Sequence, residues 1–178
     1  MKKYNYKFLG KFLKSNDLKD ILKNISDSDW EEYTFRQKNF SNHIHTRTIP
    51  IIFNEDFRSQ SPTKTNWYPL FEECLKELNI MCNKKYGNGF FVRSFLVKLL
   101  PRTIIPKHID SGGGLEPCNR VHIPIITNEK IKFIVGNQKK YLREGEIWEV
   151  NNTGKEHSVL NDSDESRVHL ICDFISFV

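Results

Sequence analysis

His108, Asp110 and His157 are three residues that could together carry oxidative chemistry. His108 and Asp110 lie two positions apart, so on a strand or at its end both side chains point to one face. His157 stands at the start of another expected strand, His157-Ser158-Val159-Leu160. Two imidazoles and one carboxylate form the facial triad that holds non-haem Fe(II). Such a triad leaves coordination positions open for a chelating 2-oxo acid and for O2, which a closed Cys/His site does not. An isolated His-x-Asp is equally the pattern of a salt bridge in a surface loop, so the reading depends on its partners.

Those partners are cationic. Arg167 begins the next apolar segment after a polar turn. Inside a small barrel its guanidinium needs an anion, because an unpaired buried charge is costly. The distal carboxylate of 2-oxoglutarate would supply one through a bidentate pair. The alternative is a surface residue paired with Asp162, Asp164 or Glu165. Arg120 and His122 alternate on one strand face, with Val121 and Ile123 on the other, and His169 alternates with Arg167. Arg93, Arg102 and Asn151 are candidates to hold a substrate carboxylate or amide, and Trp148 is either core or a substrate platform. The pair in His43-Ile44-His45 reads as exposed or packing, unless a strand carries it to a second metal site. Ser111-Gly112-Gly113-Gly114 has no following helix to make a phosphate cradle, so it reads as a loop at the mouth of the site or as a plain turn.

Strands must position these groups. The spacing of Leu70, Phe71, Cys74, Leu75, Leu78 and Met81 predicts a helix over Trp67 to Lys84, ended by Gly87 and Gly89. A shorter helix capped near Ser15-Asn16-Asp17 carries Leu18, Ile21, Leu22 and Ile25, and the stretch Ser26 to Asp29 breaks it. Trp30 to Phe40 is ambiguous, and Arg58 to Asn66 reads as a loop. Strands are expected at Leu9–Phe12, at Thr46–Phe53 with Pro50 marking an edge or end, and at Phe90–Leu100 with both faces covered. Beyond Leu100 helical periodicity is lost, and further strands are expected at Arg120–Thr127, Ile131–Val135, Lys139–Leu142, Glu146–Val150, His157–Asn161 and Arg167–Ser176. Helices first and many short strands afterwards predict a mainly β fold with flanking helices, a jelly-roll barrel of cupin type. No linker or repeat interrupts residues 1–178, so one domain is expected: 1–89 as support and 90–178 as the motif-bearing barrel.

Composition narrows the alternatives. The protein has 178 residues, 38% hydrophobic and 12% aromatic, which suits a folded globule. Its net charge of +5 is spread as Lys interspersed with Asp and Glu, the pattern of a solvated surface more than of a nucleic-acid-binding stripe. Cys74, Cys82, Cys118 and Cys172 show no C-x-x-C spacing, against a zinc ribbon or a redox dithiol. With neither an apolar leader nor an apolar run of membrane-spanning length, a cytoplasmic location is expected.

At the quoted residues the sequence resembles the aspartyl/asparaginyl β-hydroxylase family of Fe(II)/2-oxoglutarate oxygenases. The resemblance rests on Lys107-His108-Ile109-Asp110, Arg120-Val121-His122-Ile123-Pro124, Gly145-Glu146-Ile147-Trp148-Glu149, His157-Ser158-Val159-Leu160-Asn161 and Arg167-Val168-His169-Leu170, within about Arg93 to Phe174. It implies a double-stranded β-helix, with His108 and His157 as iron ligands. It also implies Arg120, His122 and Arg167 around 2-oxoglutarate, with O2 as co-substrate. The vertebrate enzyme has glycine where Asp110 stands, so this protein looks closer to bacterial members with a complete triad, which include free-proline hydroxylases. A serine that helps hold 2-oxoglutarate in the vertebrate enzyme falls near Val97. The expected reaction hydroxylates an amino-acid side chain, in a peptide of Asp/Asn type or as a free amino acid. Its rivals are a non-enzymatic cupin that binds metal or a small ligand, and a basic nucleic-acid module.

Overall fold

Alternation along the strands divides the molecule into layers. The computed structural model describes residues 3–53, 62–111 and 114–177. The strands are β1 (Tyr6–Lys11), β2 (Thr46–Phe53), β3 (Thr63–Lys64), β4 (Gly89–Leu99), β5 (Thr103–His108), β6 (Asn119–Ile126), β7 (Ile131–Val135), β8 (Gln138–Lys140), β9 (Glu146–Val150), β10 (His157–Asn161) and β11 (Arg167–Ser176). They form a seven-stranded sheet in the order β1-β9-β6-β11-β4-β2-β3 and a four-stranded sheet in the order β5-β10-β7-β8. All pairings are antiparallel among the described residues. The result is the expected double-stranded β-helix.

Because successive side chains on a strand point to opposite faces, the large sheet carries two cores. On its outer face Leu96, Val121, Ile123, Ile125, Val168, Leu170 and Cys172 pack with residues from two helices, α1 (Ser15–Lys23) and α4 (Tyr68–Tyr86). Leu18 of α1 and Phe71, Leu75 and Leu78 of α4 fill that layer. Each fully buried Leu or Phe there is worth about 1.5–3 kcal/mol in transfer from water. The inner face meets the small sheet over Leu99, Ile105, Phe133, Val135, Val150 and Val159. It also carries the polar residues of the site.

Several local expectations change. The segment Ser26 to Asp29 does break α1, but it also starts α2 (Asp27–Glu32), because Ser26 and Asp29 cap each other reciprocally. The ambiguous stretch after it contains α3 (Phe35–Asn39). β5 lies where no strand was expected, held to β10 by the pairing of His108 with His157. The loop expected at Arg58 to Asn66 falls in part outside the described residues, and its Thr63–Lys64 pairs with β2 as β3. β2 therefore lies between β4 and β3, and Pro50 sits where its register with β4 slips, a bulge that tolerates the missing N–H. Gly10 takes φ +142° where β1 slips against β9, a conformation that L side chains rarely adopt. β8 sits one residue earlier and ends two earlier than the expected Lys139–Leu142. None of the described helices is long and apolar enough to cross a membrane.

Candidate metal centre and active site

The β5–β10 pairing sets His108 opposite His157, with ring centroids 4.1 Å apart. Asp110 follows just beyond β5, where its backbone N–H donates to the Asn152 carbonyl at 3.0 Å. Donor atoms of His108, Asp110 and His157 all lie within 4.8 Å of one another. His108 Nδ1 sits 2.8 Å from the Pro106 carbonyl, which can only accept. Nδ1 therefore donates to that carbonyl, which turns Nε2 toward the site, 3.4 Å from Asp110 Oδ1. Burial, against the opposing Asp110 charge, pulls His157 down to about 4, so this ring is neutral near pH 7. Burial works to raise the Asp110 carboxyl, but Arg120, His108, His157 and Asn152 outweigh it and hold it well below the usual carboxylate range. Two imidazoles and one carboxylate converging on one point fit a divalent cation such as Fe(II).

Arg120 orients that carboxylate. Its Nε and Nη2 donate to the two oxygens of buried Asp173 at 2.7 and 2.9 Å, and Nη1 donates to Asp110 Oδ2. Asn152 Nδ2 donates to the same oxygen at 2.6 Å. The resemblance placed Arg120 around 2-oxoglutarate. Here its N–H groups go to two carboxylates, which makes it a positioning residue for the triad.

Deeper between the sheets lies a second cationic site. Arg167, 1% exposed, donates to His169 Nδ1 at 2.6 Å and stands 5.8 Å over the Phe133 ring. No carboxylate among the described residues pairs with it, and its Nε has no hydrogen-bond partner. Burial alone pulls the guanidinium down to about 9. His122 adds two ring nitrogens without partners, and His169 Nε2 a third. Acids of the nearby turn are taken instead by exposed Arg102, which pairs with Asp162 and Asp164 at 3.0 and 2.9 Å. Buried polar groups are rarely left unsatisfied, so the cluster is shaped for an anionic ligand.

A family model described as aspartyl/asparaginyl beta-hydroxylase matches residues 10–176. The protein belongs to that family. It is a 2-oxoglutarate-dependent dioxygenase, and its cofactor set is Fe(II), 2-oxoglutarate and O2. No curated protein sequence matches this hydroxylase. Among solved structures its fold is similar to a viral collagen prolyl hydroxylase from Paramecium Bursaria Chlorella virus-1 in complex with 2-oxoglutarate. That likeness has a TM-score of 0.64 at 10% identity over 99% of this protein and 98% of the other. A prolyl hydroxylase from Trichoplax adhaerens, in complex with a hypoxia inducible factor peptide fragment, gives 0.63 at 12% over 98% and 84%. A 2OG-Fe(II) oxygenase family oxidoreductase from Burkholderia pseudomallei gives 0.61 at 17% over 75% and 69%.

Within the hydroxylase, a cavity of about 380 Å³ opens onto His108 and Asp110. Arg93 lines it and meets Asp173 at 3.3 Å. Three other expected substrate contacts lie elsewhere. Arg102 is tied to its turn at the surface, in a left-handed backbone conformation. Trp148 packs against Phe8 on the side of β1 and donates to Glu146 at 2.9 Å. Asn151 binds the Tyr4 carbonyl and the Gly154 N–H, bracing a turn. Residues that the sequence reading missed as parts of the site are Arg36 and Tyr33, both from the ambiguous stretch, with Asn152 and Asp173. His43, read as packing or exposed, is buried at the cavity wall with its ring 5.8 Å from that of His108. Of the glycine-rich loop, Gly112 and Gly113 lie outside the described residues, while Ser111 lines the cavity.

Proposed function

We propose that this hydroxylase inserts oxygen into a C–H bond of an amino-acid side chain, presented in a peptide of Asp/Asn type or as a free amino acid. His108, Asp110 and His157 hold the iron, and Arg167 receives the distal carboxylate of 2-oxoglutarate with His122 and His169 around it. The observation that carries this reading is the buried Arg167 guanidinium with no carboxylate among the described residues. A dicarboxylic acid satisfies both needs at once, one end on the metal and the other on the guanidinium. Membership of the hydroxylase family stands against the non-enzymatic cupin reading.

Bound Fe(II) supplies the oxidative chemistry, coupling decarboxylation of 2-oxoglutarate with O2 to hydroxylation of the substrate. The protein does the rest. His108 and His157 present ring nitrogens, Asp110 contributes the compensating charge, and Arg120 with Asn152 fixes its orientation. Phe133 stacks on His157 with ring centroids 6.1 Å apart and gives that side of the site an apolar wall.

The test is succinate formation from 2-oxoglutarate by the Fe(II)-loaded protein, with mass spectrometry of amino acids and peptides for the gain of one oxygen. Asp110→Ala is expected to abolish turnover, and full turnover with normal iron affinity would remove Asp110 from the triad. Arg167→Ala is expected to raise the 2-oxoglutarate Kd roughly 30-fold or more. An unchanged Kd would end its anchoring role.

A further inference from the structure

We infer that Arg36 is the receptor for a carboxylate on the substrate, an inference that rests on the hydroxylase reading above. The cavity beside the triad contains three guanidiniums: Arg36, Arg93 and Arg120. Two of them share the buried carboxylate of Asp173, and Arg120 also takes Asp110. Arg36 is the exception. It donates to His43 Nε2 at 2.8 Å and to Thr48 Oγ1 at 3.4 Å, and its carbon lies 5.8 Å over the Phe95 ring. Every one of those contacts is neutral, and no carboxylate among the described residues pairs with it. Burial, then the neighbouring Arg120 charge, pulls Arg36 down to about 10, with Asp110, Tyr33 and Asp173 opposing. A half-buried cation held by neutral groups at a cavity wall is completed by an anion in the cavity.

Shape narrows the anion. Tyr33, Phe53 and Phe95 line the cavity with apolar rings, and its 380 Å³ suits a molecule of amino-acid size. The planar guanidinium fork matches a carboxylate with two parallel hydrogen bonds and one compensating charge. A phosphate would bring nearly two charges to one cation. Arg36 lines the same cavity as His108 and Asp110, with the His43 ring between Arg36 and His108, so an acid seated on Arg36 lies beside the triad. Neither end of that arrangement uses Arg167, so the two anion sites are separable.

The measurement is calorimetric binding of the twenty common amino acids, each as the free acid and as its primary amide, to the protein loaded with Fe(II) and 2-oxoglutarate without oxygen. At least one free acid is expected to bind, with its amide at least tenfold weaker. Arg36→Gln keeps a donor for His43 and Thr48 and loses the charge. It is expected to weaken that acid roughly 10- to 100-fold. Arg36→Lys is expected to restore part of the loss, and melting curves of both variants check that α3 still packs. Dipeptides ending in the preferred residue separate a free amino acid from the C-terminus of a peptide, either of which supports the assignment. Equal binding of acid and amide, an unchanged affinity in a folded Arg36→Gln variant, or no acid bound at all would overturn it. Failure of the unaltered protein to make succinate would instead sink the hydroxylase reading, while the acid preference is still read directly from calorimetry.

Discussion

Along β11 one strand is built from opposite materials on its two faces. Val168, Leu170 and Cys172 point to the helices and pack into an apolar layer. Arg167, His169 and Asp173 alternate with them and point into the barrel, all three buried. The first set has everything it needs inside the protein. The second does not, since Arg167 lacks an anion and His169 lacks a partner at Nε2. One face thus holds the fold together, and the other stores unmet polar demand for a ligand to satisfy.

The widest test of that division is Arg167→Met, which fills the space without the charge. Binding of 2-oxoglutarate should fall roughly 30-fold or more, while the metal-free protein gains about 1–4 kcal/mol of stability in chemical denaturation. A loss of both would mean that Arg167 belongs to the structural face after all. On the other face, Leu170→Ala should lower stability by about 2–5 kcal/mol. Its 2-oxoglutarate Kd, measured on the folded fraction, should hold. Asp173→Asn lies between the two cases. It loosens Arg120, and through it Asp110, so iron affinity should fall roughly 10- to 100-fold. Iron binding unchanged in that variant would show that Arg120 needs no help from Asp173.

The same contrast explains what was readable in the sequence. The barrel strands announce themselves because β-branched and apolar residues alternate with few interruptions from Arg120 onward. Within them, Arg120, His122, Arg167 and His169 stand out as polar residues on a strand face that must be covered. β5 was hidden, since Thr103-Ile104-Ile105-Pro106-Lys107-His108 contains a proline and exposed residues and pairs with β10 alone in its sheet. Arg36 and His43 were hidden more deeply. They come from short elements with no periodicity, and only the packing of α3 against β2, and of the turn Ser41–His43 against β5, brings them to the cavity. Arg102, Trp148 and Asn151 failed for the reverse reason. Their types suit substrate binding, but an Asp-rich turn, the β1 ribbon and a tight turn had prior use for them.

The smallest expected effect separates the two faces by their response to pH. Burial first, with Arg167 next, holds His122 and His169 well below the ordinary imidazole value, and burial with Arg36 takes His43 to about 2. These rings stay neutral in the folded protein, whereas the unfolded state protonates them near pH 6.5. The unfolded state therefore binds more protons below that value, and the metal-free protein should lose stability as pH falls from 7 toward 5. Replacing one ring, His169→Gln, should make the loss between pH 7 and pH 6 smaller by roughly 0.7 kcal/mol. Leu170→Ala, on the opposite face, should shift the whole stability curve downward and leave its slope with pH intact. Parallel slopes for His169→Gln and the unaltered protein would mean that the ring is protonated in the folded barrel, and that the inner face already contains an anion of its own.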